Sequence, residues 1–276
     1  MPLFASSLSL SSRVSSRVRP NRAIGLRRTT VRRATSSQRD DGTVVISPDD
    51  ASEHTASVIL CHGLGDTAMG WAEPAQHLQT KLPHARFILP TAPTQPVTLN
   101  FGMAMPSWYD IIGLDERSNE SCEGIDDTVE TILGLIQDEV NAGIDYGRIV
   151  LSGFSQGGAV ALHTGMRSAR PGGGGEGLGL AGICVMSGYL PLASSFEAAR
   201  GSERTPILHC HGTADQVVNF KAAGLSRDRV TSAQRDAGVP VEDGLYEVRS
   251  YPIEHSVSMD ELDDVAEFMT RVIPPN

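Results

Sequence analysis

The stretch that decides the fold is RIVLSGFSQGGAVALHTG, residues 148–165. It begins with RIVLSG, an apolar run typical of a buried β-strand, and continues from Gln156 with the spacing of a helix. Between the two lies Gly153-Phe154-Ser155-Gln156-Gly157, a G-x-S-x-G motif. Glycines on either side of a serine allow a sharp turn that exposes its hydroxyl above the sheet. We therefore predict that Ser155 is a nucleophile. The alternative, a glycine-rich turn without chemistry, does not account for the flanking strand and helix.

The rest of the chain repeats this alternation of short apolar runs and longer amphipathic ones. Further strand candidates are TVVIS (43–47), SVILCH (57–62), RFILP (86–90), GICVMSG (182–188), PILHCHG (206–212) and YEVRSY (246–251). Helical spacing is found over residues 72–82, 125–141, 156–167, 220–237 and 259–273. This pattern predicts a single α/β domain over residues 40–276, with a mainly parallel central sheet flanked by helices.

Composition and charge exclude several classes of protein. The 276-residue chain has 23 Lys and Arg residues against 33 Asp and Glu residues, a net charge of −10. Nine arginines precede the first acidic residue, Asp40, so residues 40–276 carry a net charge of −19. A body this acidic is a poor candidate for binding nucleic acid or an anionic membrane through bulk charge. The composition also excludes collagen-like, wholly disordered and disulfide-scaffold proteins.

The first 39 residues are rich in Arg and Ser and contain no carboxylate, which is typical of an organelle transit peptide. Mitochondrion and plastid are not separable on these features. The alternatives are a disordered basic arm that binds nucleic acid or lipid, and a cytoplasmic protein. No apolar run approaches the roughly 20 residues of a membrane-spanning helix, so we expect a soluble protein.

Three other features are interpreted as structural or as local loops. The cysteines Cys61, Cys122, Cys184 and Cys210 form no C-x-x-C pair, and we expect them to be reduced and structural. ARPGGGGEGLG (169–179) is interpreted as a surface loop without chemistry. PTAPTQPVTLNFGMAMPSWYDI (90–111) is a long apolar stretch broken by prolines, and a loop of that length inside a domain is usually functional.

A serine nucleophile needs a histidine base, and the base needs an acidic partner that orients it. In the α/β-hydrolase fold, which the G-x-S-x-G turn marks, the chain order is Ser, then Asp or Glu, then His. Among the histidines after Ser155, His163 is predicted on a helix, and His209 and His211 inside a strand. His255 lies in a loop after the strand YEVRSY, where catalytic groups concentrate. We therefore predict that His255 is the base.

The acid is chosen by the same argument from position. Asp215 lies in HGTADQVV, just past the strand ILHCHG, whereas Asp228 and Asp236 lie on a polar helix face where solvated charge is ordinary. We predict Asp215 as the acid; the alternative is a turn-forming aspartate. The oxyanion site requires the backbone N–H of the residue after the nucleophile, Gln156, and one from an early loop, for which Leu64 is the simplest choice.

His209 and His211 also raise the possibility of a metal site, because alternate residues of a strand share one face. No third ligand with suitable spacing is found nearby in the sequence. We therefore predict neither a metal nor a cofactor.

Six blocks of sequence together resemble a known family. They are HGLGDTAMGWAEPA (62–75), PTAPTQPVTLNFGMAMPSWYDIIGL (90–114), GFSQGGAVAL (153–162), SGYLPL (187–192), HGTADQVV (211–218) and EHS (254–256). In this order they resemble the acyl-protein thioesterases, the small phospholipase/carboxylesterase group of α/β-hydrolases, over residues 43–273. The resemblance implies hydrolysis of long-chain acyl thioesters on protein cysteines, with lysophospholipids and small carboxyl esters as further substrates. It implies Ser155, Asp215 and His255 as the triad, and Leu64 and Gln156 as the oxyanion donors.

The acyl chain is expected to bind in the segment 97–111, which offers adaptable apolar surface. The candidate contacts, beside Val97, are Leu99, Phe101, Met103, Met105 and Trp108. The alternative is that some of these side chains only fill the core.

Other functions and partners are left open at this stage. A carboxylesterase or lysophospholipase would use the same triad, and a hydrolase-fold binding protein would have lost catalysis. The expected partners are S-acylated proteins, or lysophospholipid and ester substrates, with transient contact to a membrane surface; nucleic acid is not expected. Both a monomer and a weak dimer are compatible with the sequence. Tyr251-Pro252-Ile253-Glu254 departs from the Gly-Met type of turn usual before the histidine in the resembled family, and this concerns the loop that aims His255.

Overall fold

The computed structural model describes residues 34–113, 121–236 and 245–276. Its strands are β1 (Ala34–Gln38), β2 (Val44–Pro48), β3 (Ala56–Cys61), β4 (Ala85–Leu89), β5 (Thr94–Val97), β6 (Met103–Pro106), β7 (Ile149–Phe154), β8 (Gly182–Met186), β9 (Ile207–Gly212) and β10 (Tyr246–Tyr251). Eight of these described strands form one sheet in the order β1-β2-β4-β3-β7-β8-β9-β10. Pairing is antiparallel between β1 and β2 and between β2 and β4, and parallel from β4 to β10. β7 therefore lies inside the parallel part of the sheet.

Helices cover both faces of this sheet. In the described part of the chain they are α1 (Ala72–Lys81), α2 (Ile125–Asn141), α3 (Gln156–Arg167), α4 (Lys221–Asp236) and α5 (Met259–Val272). In β3, Val58 and Leu60 are buried in the core that contains α1 and α5. Ile59 and Cys61 are buried in the core that contains α2, α3 and α4. Alternate residues of one strand thus enter opposite cores, as the period of a β-strand requires.

The predicted elements agree with this architecture. Each predicted strand and helix is present, and no end differs by more than two residues. The helix predicted over residues 125–141 turns an apolar stripe to the core, with Ile125, Ile132 and Ile136 buried. The mainly parallel sheet flanked by helices is confirmed.

One strand lies within the segment that the sequence analysis excludes from the domain. β1 pairs along its whole length with β2, from Ala34 opposite Pro48 to Gln38 opposite Val44. Most of its side chains are polar and exposed, so backbone hydrogen bonds rather than an apolar face hold it. The boundary expected at residue 40 is therefore corrected, because the sheet includes residues from Ala34 onward. The remainder of the predicted transit peptide, residues 1–33, lies outside the described residues.

The segment 90–111 contains a hairpin that stands apart from the main sheet. β5 and β6 pair antiparallel, with Val97 opposite Met103. A short 3-10 turn and two residues with positive φ, Phe101 (55°) and Gly102 (74°), reverse the chain between the strands. The prolines and mixed polarity of this segment conceal its strand pattern, so the sequence predicts only a loop.

The glycine-rich segment 169–179 forms a closed turn on the surface. An antiparallel bridge joins Ala169 to Gly177. The Arg170 guanidinium lies 4.5 Å from the centre of the Tyr146 ring and donates to the Leu178 carbonyl. Most of the segment is exposed, as expected of a surface loop.

Two further observations concern the cysteines and the helices. The four cysteines all lie in the described residues, are buried and form no disulfide. Among the helices that the structure describes, none is long and apolar enough to cross a membrane.

Candidate active site

Ser155 occupies a strained turn between β7 and α3. Its backbone has φ 53° and ψ −119°, a conformation that non-glycine residues seldom adopt. The Ser155 N–H donates to the Met186 carbonyl of β8 at 2.8 Å, and its carbonyl accepts from the Ala159 N–H of α3 at 3.0 Å. Strand and helix thus hold the turn from both sides. Strain of this kind is concentrated at functional sites.

The two glycines of the motif are required by close backbone contacts. A Cβ on Gly153 would lie 2.3 Å from the Gly157 carbonyl group, and a Cβ on Gly157 would lie 2.3 Å from the Cys61 carbonyl oxygen. No side chain fits at either position without moving the backbone. The glycines therefore let the turn close on itself and pack against the end of β3.

Ser155, His255 and Asp215 form a continuous hydrogen-bonded chain. The Ser155 Oγ lies 2.9 Å from His255 Nε2, and His255 Nδ1 lies 2.7 Å from Asp215 Oδ2. The other carboxylate oxygen, Asp215 Oδ1, accepts the backbone N–H groups of Val217 and Val218 at 2.9 and 2.8 Å. A carboxylate only accepts hydrogen bonds, so Nδ1 of the neutral imidazole carries the proton and Nε2 is free to accept the serine proton.

The loop before His255 is held against β9 despite its departure from the resembled family. The Ile253 carbonyl accepts the Ala214 N–H at 3.1 Å. It also lies so close to β9 that a Cβ on Gly212 would be 2.4 Å from its oxygen. On the other side, the Phe154 ring lies 4.8 Å from the His255 ring, centre to centre. Backbone contact and ring packing together aim the imidazole at the serine.

A buried histidine shapes the loop that carries Leu64. His62 Nδ1 donates to the Gly63 carbonyl at 2.7 Å, and its Nε2 accepts the Ala92 N–H at 3.0 Å. The Trp108 indole N–H donates to the His62 carbonyl at 2.7 Å. Burial lowers the pKa of His62, against a smaller opposing effect of the Gly63 carbonyl, so the ring is neutral and makes both bonds at neutral pH. Leu64 and Gln156, the two predicted oxyanion donors, lie beside Ser155 in the lining of one cavity.

That cavity has a volume of about 260 Å³ and lies next to Ser155, His255 and Leu64. Its apolar lining is contributed by Leu64, Leu99, Ile111, Phe154, Val217 and Val218. Tyr189 and Asp66 complete the wall. A largely apolar cavity with a few polar groups at one end is the form that small-molecule sites usually take.

The predicted acyl-binding residues are placed differently from one another. Leu99 lines the cavity. Phe101 and Met103 lie on the β5–β6 hairpin and are 94% and 57% exposed. Met105 is half-buried, with its Sδ beside Gly65. Trp108 is a correction to the prediction: it is buried outside the cavity lining, because its indole N–H binds the His62 carbonyl and its ring packs on His62 at 5.0 Å.

Several lining residues were missed by the sequence analysis. Val217 and Val218 follow the predicted acid by two and three residues, and Phe154 precedes the predicted nucleophile. Their closeness to candidate residues along the chain was the available signal. Tyr189 is not next to a predicted catalytic residue in the sequence. Its place in the cavity wall depends on the packing of the segment after β8, where its hydroxyl forms a hydrogen bond of 2.7 Å with the Tyr109 hydroxyl.

His209 and His211 lie on one face of β9, as the strand period requires, with ring centres 5.5 Å apart. Over residues 34–113, 121–236 and 245–276, no group of three or more His, Cys, Asp or Glu side chains is arranged to hold a metal ion.

Comparison with known proteins gives a consistent result. Residues 40–273 match the model of a family described as phospholipase/carboxylesterase. The acyl-protein thioesterase 1 of Neurospora crassa is 38% identical over 235 residues, which cover 81% of this chain and 89% of that protein. Its counterpart in Yarrowia lipolytica is 40% identical over 226 residues, 80% and 93% of the two chains. The crystal structure of Zea mays acyl-protein thioesterase 2 superposes with a TM-score of 0.70 at 28% identity, and covers 86% of this chain and 100% of that chain.

Proposed function

Because this chain belongs to the acyl-protein thioesterases, within the phospholipase/carboxylesterase family of α/β-hydrolases, we propose that it is a serine hydrolase that cleaves long-chain acyl thioesters from protein cysteines. The observation that carries the proposal is the chain of hydrogen bonds from Ser155 through His255 to Asp215, next to an apolar cavity. The products are a free fatty acid and a protein thiol. The proposed catalytic residues require no cofactor.

The first half of the reaction forms an acyl-enzyme. His255 Nε2 takes the Ser155 proton as Oγ attacks the thioester carbonyl carbon, and Asp215 stabilises the imidazolium. The backbone N–H groups of Leu64 and Gln156 bind the oxyanion of the tetrahedral intermediate. The C–S bond then breaks, and His255 gives its proton to the leaving sulfur.

The second half repeats these steps with water as the nucleophile. His255 takes a proton from a water molecule as the water oxygen attacks the carbonyl carbon of the acyl-enzyme. It then gives that proton to Ser155 Oγ as the ester bond breaks. Thioesters are the easier substrates, because a cysteine thiolate, with a pKa of about 8.5, leaves with less need of protonation than an alkoxide does.

The apolar cavity is the proposed site for the acyl chain. Each buried methylene contributes about 0.8 kcal/mol, so burial of eight carbons would offset about 6 kcal/mol of the cost of removing the chain from a membrane. Leu99 and Ile111 line this cavity close to the β5–β6 hairpin, so the acyl chain of the substrate would extend from the hairpin to Ser155.

Transient contact with a membrane surface is also proposed. Phe101 and Met103 place apolar side chains in solvent on a narrow hairpin, and Ile112 nearby in sequence is 54% exposed. The net charge of −19 over residues 40–276 opposes binding to an anionic surface, so the contact would depend on apolar insertion rather than on charge.

The alternative function is a carboxylesterase or lysophospholipase that uses the same triad. The two are separated by the relative kcat/KM values on a palmitoyl-cysteine peptide, lysophosphatidylcholine and a short nitrophenyl ester. The thioesterase proposal requires the highest value on the thioester peptide. A higher value on either of the other substrates would assign the chain to the alternative.

The N-terminal residues are proposed to direct the protein to a plastid or mitochondrion. The support is compositional: nine arginines, many serines and no carboxylate precede Asp40. A fluorescent protein fused after residue 39 should enter one of these organelles and lose the N-terminal segment. A diffuse cytoplasmic signal would support the cytoplasmic alternative.

A further inference from the structure

Three buried side chains form a polar cluster behind Asp215, outside the triad. They are His209 and His211 on β9 and Tyr246, the first residue of β10. Both histidines are fully buried and Tyr246 is 9% exposed. Buried polar groups of this kind are costly unless they bind one another, so their contacts define what the cluster does.

The cluster forms one chain of hydrogen bonds that runs toward Asp215. The Tyr246 hydroxyl lies 3.0 Å from His209 Nδ1, and His209 Nε2 lies 3.4 Å from His211 Nδ1. His211 Nε2 lies 2.8 Å from the Val218 carbonyl oxygen. A carbonyl only accepts, so His211 Nε2 carries a proton and its Nδ1 accepts from His209, whose Nδ1 accepts the Tyr246 hydroxyl.

The protonation state of His209 agrees with this donor-to-acceptor direction of the hydrogen bonds. Burial lowers the pKa of His209 to about 3, with His211 lowering it further and the nearby Gly188 carbonyl opposing the effect. His209 is therefore neutral at ordinary pH and has one donor nitrogen and one acceptor nitrogen, as the chain requires. The Phe220 ring meets His211 edge-on at 5.9 Å and closes the other side of the cluster.

His211 fastens both ends of the loop that carries Asp215. It stands at the end of β9 and binds the Val218 carbonyl, while the Val218 N–H binds Asp215 Oδ1 at 2.8 Å. Its Nε2 also lies 3.5 Å from Asp215 Oδ2, the oxygen that binds His255. The His211 ring thus contacts both the Asp215 carboxylate and the backbone of the loop that follows it.

We propose that His211, oriented by His209 and Tyr246, is a positioning residue that fixes the Asp215 carboxylate toward His255. It touches neither substrate nor the reacting atoms, and it acts through Asp215 and Val218. The inference rests on the proposed triad but not on the choice of thioesters as substrate. It is therefore tested on a short nitrophenyl ester, which measures the triad even if the thioester assignment fails.

The first test compares His211→Phe with His211→Gln. Phenylalanine keeps the shape of the ring but leaves the Val218 carbonyl without its donor, whereas glutamine can supply an N–H. We expect His211→Phe to lower kcat by about 10- to 100-fold with little change in KM, and His211→Gln to recover most of that loss. The acidic limb of the pH profile of kcat/KM should move to lower pH in His211→Phe, because a displaced Asp215 stabilises the His255 imidazolium less.

A matched control separates positioning from folding. His84 is also buried and its Nε2 lies 2.8 Å from the Ile273 backbone carbonyl, and neither residue lines the cavity. Rates are normalised to the fraction of enzyme that reacts with a fluorophosphonate. If His84→Phe lowers normalised kcat as much as His211→Phe, or if His211→Phe leaves both kcat and the pH profile unchanged, the inference is overturned.

The chain itself is tested by a double-mutant cycle. Tyr246→Phe removes only the terminal hydroxyl, and we expect a loss of kcat smaller than that of His211→Phe. Because Tyr246 acts through His211, adding Tyr246→Phe to His211→Phe should cause no further loss. Fully multiplicative losses in the double variant would show that the two residues act independently and would contradict the proposed chain.

Discussion

The Gln156 side chain accepts the backbone N–H of Trp108 at 3.0 Å, and so ties the segment before α2 to the residue that follows Ser155. Its Nε2 donates to the Tyr109 carbonyl at 2.7 Å and lies 3.1 Å from Ser107 Oγ. The backbone N–H of this residue is a proposed oxyanion donor. One residue is therefore a proposed oxyanion donor through its backbone and an anchor of the buried segment 107–109 through its side chain.

Gln156→Ala should lower both stability and activity. The change leaves the buried Trp108 N–H without its acceptor, at about 1 to 3 kcal/mol, whereas the Tyr109 carbonyl keeps the Ser107 hydroxyl as a donor. We expect a lower thermal midpoint and a kcat that falls even when measured well below that midpoint. Gln137→Ala is the control, because the Gln137 side chain bonds to the side chains of Asn141 and Tyr146 and not to a buried backbone group. A Gln156→Ala enzyme as stable and as fast as the wild type would refute the coupling.

Leu99 and Phe101 should affect different steps, although only one residue separates them. Leu99 lines the cavity and Phe101 is exposed on the hairpin. Leu99→Asp should reduce kcat/KM for long-chain thioesters much more than for short esters, because it places a charge in the acyl site. Phe101→Asp should reduce sedimentation with phosphatidylcholine vesicles and leave hydrolysis of soluble short esters unchanged. Equal losses on long and short substrates in Leu99→Asp would contradict the proposed acyl site.

Glu139 should stabilise the fold above pH 4.5 and lose that effect in acid. The residue is buried and binds Ser57 at 2.6 Å and Arg86 at 3.2 Å. Burial alone would raise the pKa of Glu139, but hydrogen bonds from His54 and Ser57 and the charge of Arg86 outweigh it and lower the pKa to about 2. Between about pH 2 and pH 4.5 the folded state therefore binds fewer protons than the unfolded state, so stability increases with pH over this range.

The shift of the Glu139 pKa corresponds to about 3 kcal/mol of stability at neutral pH. Glu139→Gln should lower the free energy of unfolding by an amount of this order at pH 7, and the gap to the wild type should shrink by more than half at pH 3. Urea unfolding at the two pH values checks this. A gap that is the same at both would show that the ionisation of Glu139 does not stabilise the fold.

Glu261 should have the opposite effect. It is fully buried near the start of α5, and neither carboxylate oxygen makes a regular hydrogen bond within the described residues. Burial raises the pKa of Glu261 to about 8, against a smaller opposing effect of the Ser258 backbone N–H. The folded state then holds a proton that the unfolded state releases, so this group costs stability as pH rises from about 4.5 to 8.

Replacing this carboxyl should therefore stabilise the protein. Glu261→Gln removes the ionisable group and keeps its size, and we expect a gain of about 1 to 3 kcal/mol in the free energy of unfolding at pH 7.5. The gain should be smaller at pH 5. The Glu139→Gln variant serves as the contrast, since it changes another buried carboxyl with the reverse sign. A destabilised Glu261→Gln protein at pH 7.5 would refute the assignment.

Most of the fold was predictable because its signals are local. Strands such as β7 and helices such as α2 carry unbroken apolar patterns, and the serine turn carries its own glycines. Chain order then selected Asp215 and His255, and the structure brings both to Ser155. β1 was missed because polar, exposed side chains give no apolar pattern when backbone pairing alone holds a strand.

The rest depended on contacts between distant parts of the chain. Trp108 has a large apolar side chain of the kind that often contacts a substrate. Its indole N–H nevertheless binds the His62 carbonyl, 46 residues earlier. His209 and His211 have the spacing of metal ligands, yet one contacts Tyr246 and the other Val218. Which partner a buried polar group finds is set by tertiary packing, and a single sequence does not reveal it.

The central claim is tested most directly by the hydrolysis of a palmitoyl-cysteine peptide by the full chain, with Ser155→Ala and a matched short-chain oxygen ester alongside. The account predicts a higher kcat/KM on the thioester than on the oxygen ester, and a kcat that falls by about 10⁴- to 10⁶-fold in Ser155→Ala. Thioester hydrolysis that persists in Ser155→Ala, or a preference for the short oxygen ester, would contradict it.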